Sequence, residues 1–475
     1  MSVRRLPALA SLALVVAAFV TRAAQSLGYD ELFTLWVASM PLSDLIHQAN
    51  VDGFTPPLFY ALVKLLLIVG LVNEDLRVLP ALFGGLAAYS GLRAAGHLFG
   101  PAARWLALSV ICGSAYLFTF AQELRPYSAL LACGFYFLGR LGGPASEKSD
   151  IRAALAALVA TSLSYLGLTL VVVWVLECGR RRSPSQLALV CLASLGLCAA
   201  GLEKAVGLAA AGVQSRIVWL QALPSLSATF FGLAPTPYDV RTEVASLILL
   251  AGLMAAVWRA RAVPSLAFLA RAFVICTVSV IALDVVVPIG FAPRYLALPM
   301  AALLLLIVGT LPHLGRAGSV IAILFLGANG FAVYRYLTVE PPAREDWRGA
   351  MARLDERLGS KGVLIAFPFH HTAVAAHAYA PRLTLAGGYT SRTGPVFWYE
   401  PPAAFAGYDF SGLTPLSDPN EALRRLSAAT DVCVLSDEPD TSKTASVFGV
   451  FQSLGGTEPF STGDPRLRAL CRPKG

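Results

Sequence analysis

The sequence is poor in charged residues. Only 14% of its 475 residues are Asp, Glu, Lys or Arg, against about a quarter in an ordinary soluble protein, and 56% are hydrophobic. A chain of this composition has too little polar surface to cover itself in water. We therefore exclude an ordinary soluble globular protein and expect lipid to be the solvent of most of the chain.

The chain also lacks the common catalytic fingerprints. It contains no phosphate-binding P-loop, no GxSxG nucleophile elbow, no HExxH zinc helix and no dinucleotide-binding GxGxxG. These absences argue against nucleotide-driven, serine-hydrolase and zinc-protease chemistry.

None of the eight cysteines forms a CxxC pair. Six lie in apolar segments, where cysteine usually serves as a small buried hydrophobe: Cys112, Cys133, Cys178, Cys191, Cys198 and Cys276. Cys433 and Cys471 lie outside such segments. They either pair in an oxidising compartment or stay reduced, and the sequence leaves both alternatives open.

The excess of positive charge does not indicate a nucleic-acid partner. The formal net charge is +8, but the basic residues are spread through short loops and form no patch interleaved with aromatic residues. In membrane proteins, basic residues of this kind mark the cytoplasmic loops. We therefore use them to orient the chain.

Long apolar runs predict a polytopic α-helical membrane protein. They approach or exceed the ~20 residues that a helix needs to cross a bilayer: Leu6–Ala24, Trp105–Ala121, Gln186–Ala211, Ala272–Ile289 and Val320–Tyr336. Placing the basic clusters, Arg180 to Arg182 among them, in the cytoplasm gives about 11 spans. Residues 151–178 must then cross twice, as two half-spans that turn near Gly167, and not once as one long helix.

This topology places residues 25–76, 122–127, 213–244 and 290–294, with everything after about residue 337, on the outer face. Within the first outer loop, 25–76, the apolar run Leu58–Gly70 is short for a crossing and carries Lys64. We expect it to be a helix that lies in the membrane interface.

The composition changes after Tyr336, where Pro341 and Pro342 follow the last apolar run. We expect residues 1–337 to form the transmembrane domain and residues 338–475 a soluble α/β domain on the outer face. In this second domain the pattern predicts helices at Trp347–Leu358 and Pro419–Ala428 and buried strands at Gly362–Pro368 and Asp431–Leu435.

Two adjacent carboxylates, Asp30 and Glu31, follow the first span on the outer side, in a stretch that also contains Trp36. Carboxylates beside apolar and aromatic groups are suited to take a proton from a substrate. The alternative is that both acids are simply solvated at a helix end, and position alone does not choose between these interpretations.

Three arginines lie at outer helix ends, against the charge bias of the rest of the chain: Arg77, Arg125 and Arg294. A guanidinium group holds a phosphate in two parallel hydrogen bonds, which predicts an anionic lipid headgroup as their ligand. Each arginine taken alone has a second interpretation, an interface anchor or a partner to Glu31 or Glu123.

Adjacent histidines, His370 and His371, follow the predicted strand Gly362–Pro368. On extended chain, neighbouring side chains point to opposite faces, so a solvated or structural role is favoured over metal binding.

The ordered set of motifs resembles the bacterial membrane glycosyltransferases of the GT-C fold, relatives of the protein O-mannosyltransferases and of the aminoarabinose transferase that modifies lipid A. The resemblance covers most of residues 1–350. It rests on the acid pair, Thr55-Pro56-Pro57-Leu58-Phe59-Tyr60, Leu76 to Gly84, Leu98-Phe99-Gly100, Gln122 to Leu130, Pro293-Arg294-Tyr295 and Glu345 to Ala350.

The resemblance implies a sugar donor linked to polyprenyl phosphate and an acidic base in the first outer loop. Asp30 matches that base, and Glu31 matches a supporting acid that pairs with the arginine matched by Arg77. Glu123 matches the acid of the second outer loop. Arg125 and Arg294 match groups near the donor phosphate, and Tyr127, Tyr295 and Lys64 are further candidate substrate contacts.

Two departures from the family pattern concern metal binding. Thr55 stands where many relatives have His before the paired prolines, and Leu163-Ser164-Tyr165 stands where they have Thr-His-Tyr. We therefore assign no metal ligands and no cofactor, and leave a bound divalent metal as an alternative.

The sequence thus predicts an inverting glycosyltransferase of the bacterial cytoplasmic membrane, with its active site on the periplasmic or extracellular side. Its partners are a polyprenyl-phosphate sugar, a lipid or glycan acceptor and membrane lipids. The rival hypothesis is a transporter or flippase of lipid-linked envelope intermediates. Such a protein should show internal repeats and charge near mid-membrane, where only Asp284, Glu203 and Lys204 come close.

Overall fold

The protein is described here from a computed structural model. The described residues are 5–22, 25–52, 55–179, 182–210, 262–286, 293–338, 345–359, 363–391, 394–398, 431–436 and 458–472, without 368 and 465, and a few at 251–258 and 451–452. The chain packs into two compact units. The first consists of Met1–Ala23, Leu42–Val69 and Asp75–Val339, and the second of Ala24–Pro41, Gly70–Glu74 and Glu340–Gly475.

Most of the described residues are helical. The helices, numbered in chain order over the described residues, are α1 (Leu6–Arg22), α2 (Tyr29–Ser39), α3 (Leu42–Asp52), α4 (Pro57–Ile68), α5 (Val78–Phe99), α6 (Ala103–Cys112), α7 (Ala115–Phe120), α8 (Tyr127–Leu141), α9 (Glu147–Leu163), α10 (Leu168–Cys178), α11 (Pro184–Ala210), α12 (Pro264–Val286), α13 (Ala297–Thr310), α14 (Arg316–Thr338), α15 (Trp347–Leu358) and α16 (Phe369–Tyr379).

Among the described residues, four helical stretches are long and apolar enough to cross a membrane: Asn73–Phe99, Pro264–Leu283, Arg294–Leu314 and Arg316–Thr338. Shorter apolar helices accompany them, including α1, α8 and α10. These helices are those of an integral membrane protein, as the composition predicts. The number of spans, about 11, and the division into domains at residue 337 stay predictions.

The core of the first unit surrounds α13, in which every residue is buried. This helix packs against α5, α6, α8 and α12. Glycines let neighbouring backbones approach closely, since a Cβ at Gly139 would collide with Ala94, and one at Gly91 with Ile111. Small residues at helix crossings are typical of membrane proteins, where packing replaces the hydrophobic effect between helices.

Helices α9 and α10 form a tight hairpin, which confirms the predicted turn near Gly167. Ser164 is extended, and a single 3-10 turn, Tyr165–Gly167, leads into α10. At the other end of the hairpin, Asp150 accepts hydrogen bonds from Arg182 Nη2 at 2.6 Å and Nε at 3.1 Å. Asp150 near the start of α9 thus meets Arg182 beyond the end of α10, so the two helices run antiparallel.

The length of the apolar run Trp105–Ala121 predicts one continuous helix. The structure instead breaks it at Gly113 and Ser114 into α6 and α7. The break exposes the N-terminal amides of α7, and Asn329 Oδ1 on α14 accepts a hydrogen bond from Ala115 N–H at 2.8 Å. This buried side chain therefore makes the interruption tolerable, because an unsatisfied amide inside a membrane protein is costly.

The C-terminal part of the second unit contains a six-stranded sheet in the order β3-β2-β1-β4-β6-β5. The strands are β1 (Val363–Phe367), β2 (Thr384–Ser391), β3 (Gly394–Trp398), β4 (Val432–Ser436), β5 (Glu458–Ser461) and β6 (Arg468–Cys471). β1 pairs in parallel with β2 and β4, and the other pairs are antiparallel.

The predicted elements of this region are confirmed where they are described. Helix α15 has the predicted bounds Trp347–Leu358, and β1 and β4 fall within one residue of the predicted strands. The predicted helix Pro419–Ala428 lies outside the described residues. Cys433 and Cys471 face each other in the register of β4 and β6 and form a disulfide, which resolves the alternative that the sequence left open.

We predict that Gly167→Ala destabilises the protein by about 1–3 kcal/mol. A Cβ at this position would run into the backbone of Ala160 and Thr161, which cannot move without opening the hairpin. Gly196→Ala on α11 is the matched control, because its Cβ would meet nothing within 4 Å. Thermal unfolding of the purified variants in detergent compares them, and equal midpoints for both variants would contradict the hairpin geometry.

Candidate active site

Asp30 and Glu31 lie in the first turn of α2 and have different environments. Gly28 N–H donates a hydrogen bond to Glu31 Oε2 at 2.9 Å, and Glu31 is only 2% exposed. Glu31 therefore satisfies the backbone amide at the N-cap of its own helix. Asp30 is half-buried. The N-terminus of a helix favours negative charge, so this turn is suited to hold an ionised carboxylate.

Aromatic side chains lie on both sides of the acid pair along α2. The rings of Tyr29 and Phe33 are 6.5 Å apart, and those of Phe33 and Trp36 are 5.7 Å apart. Thr34 Oγ1 donates to the Asp30 carbonyl at 2.9 Å, which adds a hydrogen bond to the backbone of this turn. Asp30 thus stands on a well-packed helix and not on a loose loop.

In the first unit, Tyr116 in the first turn of α7 joins this helix to the 3-10 turn Pro293–Leu296 that leads into α13. The Tyr116 hydroxyl donates to the Arg294 carbonyl at 3.0 Å, and its ring lies 4.5 Å from that of Phe120. The Phe120 ring in turn meets the ring of Tyr127 edge-on at 5.1 Å. The Glu123 carboxylate is close enough for its charge to act on the Tyr116 hydroxyl.

Two of the predicted phosphate ligands, Arg125 and Arg294, belong to this region. Arg125 closes a tight turn, because its backbone N–H donates to the Glu123 carbonyl at 2.6 Å. The Arg294 guanidinium lies over the ring of Tyr295, 5.5 Å from the ring centre, in a cation–π contact. Both arginines are half-buried. The structure therefore brings Glu123, Tyr127 and Arg294 near Tyr116. Arg125 shares a turn with Glu123, and Tyr295 lies against the Arg294 guanidinium.

Arg77 and Lys64 lie on other elements of the first unit. Arg77 is 1% exposed and directly precedes α5. Two turns further along α5, Gly84 packs so closely on Ala121 that a Cβ could not fit, so α5 runs beside α7. Lys64 is half-buried on α4, which packs against α3 and α9. Asp30 and Glu31 belong to the second unit.

Sequence reasoning missed Tyr116 and gave no role to Gln122 and Ser128. Gln122 is 1% exposed and Ser128 is fully buried, and within the described part of the chain the polar side-chain atoms of both lack a hydrogen-bond partner. The side-chain amide of Gln122, just after the apolar helix α7, was the sequence feature that could have drawn attention to this place. Buried polar groups are nearly always satisfied, so these two mark an unusual place in the fold.

The described residues contain no group of three or more His, Cys, Asp or Glu side chains that could hold a metal ion. His370 and His371 lie in the first turn of α16, and not on extended chain as their sequence interpretation assumed. The argument from alternating faces therefore does not apply to them.

We predict that Gln122→Met stabilises the protein by about 1–3 kcal/mol, because it removes a buried amide that has lost its hydrogen bonds to water. Gln186→Met is the control, since Gln186 is exposed on α11 and its substitution should leave stability unchanged. Thermal unfolding midpoints measure both changes. A fall in the midpoint of Gln122→Met would show that the amide makes stabilising polar contacts.

No protein-family model matches the chain, and no curated protein matches it significantly. Solved structures do match this chain. ArnT from Cupriavidus metallidurans in the apo state is 15% identical with a TM-score of 0.57, over 98% of this chain and 97% of ArnT. ArnT bound to undecaprenyl phosphate gives 14% identity, the same TM-score and the same coverage.

The Archaeoglobus fulgidus oligosaccharyltransferase, solved with Zn and sulfate, gives 13% identity and a TM-score of 0.49, over 95% of this chain and 69% of that enzyme. ArnT, the lipid A aminoarabinose transferase, is an enzyme of the GT-C fold. At this level of identity the relationship is distant. The match over nearly the whole of both chains shows that this protein has the GT-C fold.

Proposed function

We propose that this protein is a glycosyltransferase that moves a monosaccharide from a polyprenyl-phosphate donor to a hydroxyl group of a cell-envelope lipid or glycan. The observation that carries the proposal is the full-length GT-C fold, shared with an ArnT whose structure contains undecaprenyl phosphate. The reaction takes place at the outer face of the bacterial cytoplasmic membrane. No nucleotide is needed there, because the lipid carries the activated sugar.

The donor phosphate is bound by Arg125, Arg294 and Arg77. Guanidinium groups fit a phosphate geometrically and keep their charge in apolar surroundings. The contact between the Tyr116 hydroxyl and the Arg294 carbonyl supports this assignment, because it ties the backbone that carries Arg294 to the helix before Arg125. Such preorganised donors stabilise the charge that grows on the leaving phosphate, and each typically contributes ~3 kcal/mol.

Asp30 acts as the general base on the acceptor. Its carboxylate takes the hydroxyl proton while the acceptor oxygen attacks the anomeric carbon. The bond from that carbon to the phosphate oxygen breaks, and the polyprenyl phosphate leaves with the electron pair. A single displacement of this kind inverts the anomeric configuration.

The two acids of the pair have different roles in this scheme. Glu31 already accepts the Gly28 amide and is buried, so it supports the helix turn that carries the base. Glu123 is a further candidate catalytic acid, and Tyr127, Tyr295 and Lys64 are candidate contacts to the substrates. The hydrogen bond of Glu31 and the partial exposure of Asp30 support this division.

We expect Asp30→Asn to lower kcat for sugar transfer by about 10²–10⁴-fold, because the amide cannot take the acceptor proton. Asp44→Asn is the matched control, since Asp44 is an exposed acid in the first turn of α3. Purified protein in lipid vesicles with polyprenyl-phosphate sugars and acceptor lipids gives the rates. Full activity of Asp30→Asn, or an equal loss in both variants, would reject Asp30 as the base.

A further inference from the structure

Helix α16 holds the start of α2 within the second unit. Leu27 N–H donates a hydrogen bond to the Tyr379 hydroxyl at 2.9 Å, and the same hydroxyl donates to Glu74 Oε1 at 2.9 Å. Tyr379 is the last residue of α16. One phenol group thus joins three segments that are far apart in the sequence, and Leu27 lies only three residues before Asp30.

The chemistry of this hydroxyl suits a structural bridge and not an acid or base. Burial, and to a smaller extent the neighbouring Glu74 carboxylate, raise the pKa of Tyr379, so that the group stays protonated at neutral pH. Leu27 is completely buried, so its amide has no access to water if the bond is lost. Removing the hydroxyl therefore leaves a buried N–H without its acceptor.

Other contacts fix the same pair of helices. α2 packs along α16, and at the far end of α2 the Ser39 hydroxyl lies 3.4 Å from His377 Nε2. Before α2, Ser26 Oγ donates to the Glu345 carbonyl at 3.4 Å. The helix that carries Asp30 is thus attached at both ends to the C-terminal part of the chain.

Glu74 reaches the hydroxyl because the chain before it turns sharply. Asn73 has a φ of +46°, in the left-handed region that asparagine tolerates better than most residues. Arg348 Nη1 on α15 lies 3.4 Å from Glu74 Oε1, and so neutralises the charge of this carboxylate. Segment 70–74 and α15 are thus linked, through Glu74, to the tyrosine that holds the start of α2.

We propose that Tyr379 is a positioning residue for the transfer reaction: it fixes the start of α2 and thereby the place of Asp30. The inference rests on the proposed function and adds a role for the C-terminal sheet region, which carries the bridge that holds the base. Tyr379 itself touches no reacting atom in this scheme.

Tyr379→Phe tests the proposal, with Tyr334→Phe as the control because Tyr334 is 61% exposed on α14. The measurements are kcat and donor KM in vesicles, and amide hydrogen exchange of peptides that cover residues 26–34. In Tyr379→Phe we expect faster exchange, an unchanged donor KM and a fall in kcat of about 10- to 100-fold, because a small displacement of a catalytic group costs this much. Tyr334→Phe should match the parent in all three.

Glu74 supplies a second pair of variants should Tyr379→Phe fail to fold. Glu74→Gln keeps an oxygen that accepts from Tyr379, so kcat should stay within about threefold of the parent. Glu74→Ala removes the acceptor and should lower kcat as Tyr379→Phe does. Equal activities of these two variants would overturn the proposal.

Two further results would also overturn it: unchanged exchange in Tyr379→Phe, or faster exchange with an unchanged kcat. Failure of the proposed function appears differently. In that case the parent transfers no sugar or Asp30→Asn keeps full activity, while hydrogen exchange still reports whether Tyr379 holds α2.

Discussion

The structure depends on one constraint: inside a membrane protein, every backbone N–H and C=O group needs a partner from the protein itself. Helices meet this demand along their length but not at their ends, and in the described part of the chain several polar side chains bind backbone groups where helices begin or break. Asn329 serves the break before α7, and Tyr116 binds the carbonyl of Arg294 at the start of α13. The proposed base Asp30 and the proposed phosphate ligands Arg125 and Arg294 also lie at the starts of helices.

The acid pair shows how this constraint separates two similar residues. Glu31 is used by its own helix, whose first amides need an acceptor, and Asp30 beside it remains half-buried. The same logic extends to Tyr379, which satisfies the buried amide of Leu27. The proposed base therefore owes its position to a chain of hydrogen bonds whose other members have no chemical role.

Local pattern was sufficient to predict some elements and insufficient for others. Helix α15 has its predicted bounds because its amphipathic pattern and the cap at Asp346 are local. The turn at Gly167 followed from charge placement, since Arg180 to Arg182 were expected on the cytoplasmic side together with the other basic clusters. The break at Gly113 was missed because its compensation comes from Asn329, more than 200 residues away. The bond from Leu27 to Tyr379 spans 352 positions and was equally invisible.

The candidate site could be proposed from the sequence as a set of residues but not as a geometry. Motif order pointed to Arg125, Arg294 and Asp30 as site residues. Tyr116, which joins α7 to the turn that carries Arg294, looks in the sequence like one more aromatic residue of an apolar run. The position of the Gln122 amide after an apolar helix could be seen in the sequence, but its lack of a hydrogen-bond partner could not, because that depends on the residues that surround it in the fold.

The stereochemistry of the product tests the central claim most directly. A single carboxylate base and a departing phosphate allow only one displacement, so NMR of the product should show the anomeric configuration opposite to that of the polyprenyl-phosphate donor. Retention of configuration would require a covalent sugar–enzyme intermediate and two displacements. That result, or the absence of any sugar transfer by the purified protein, would contradict the account.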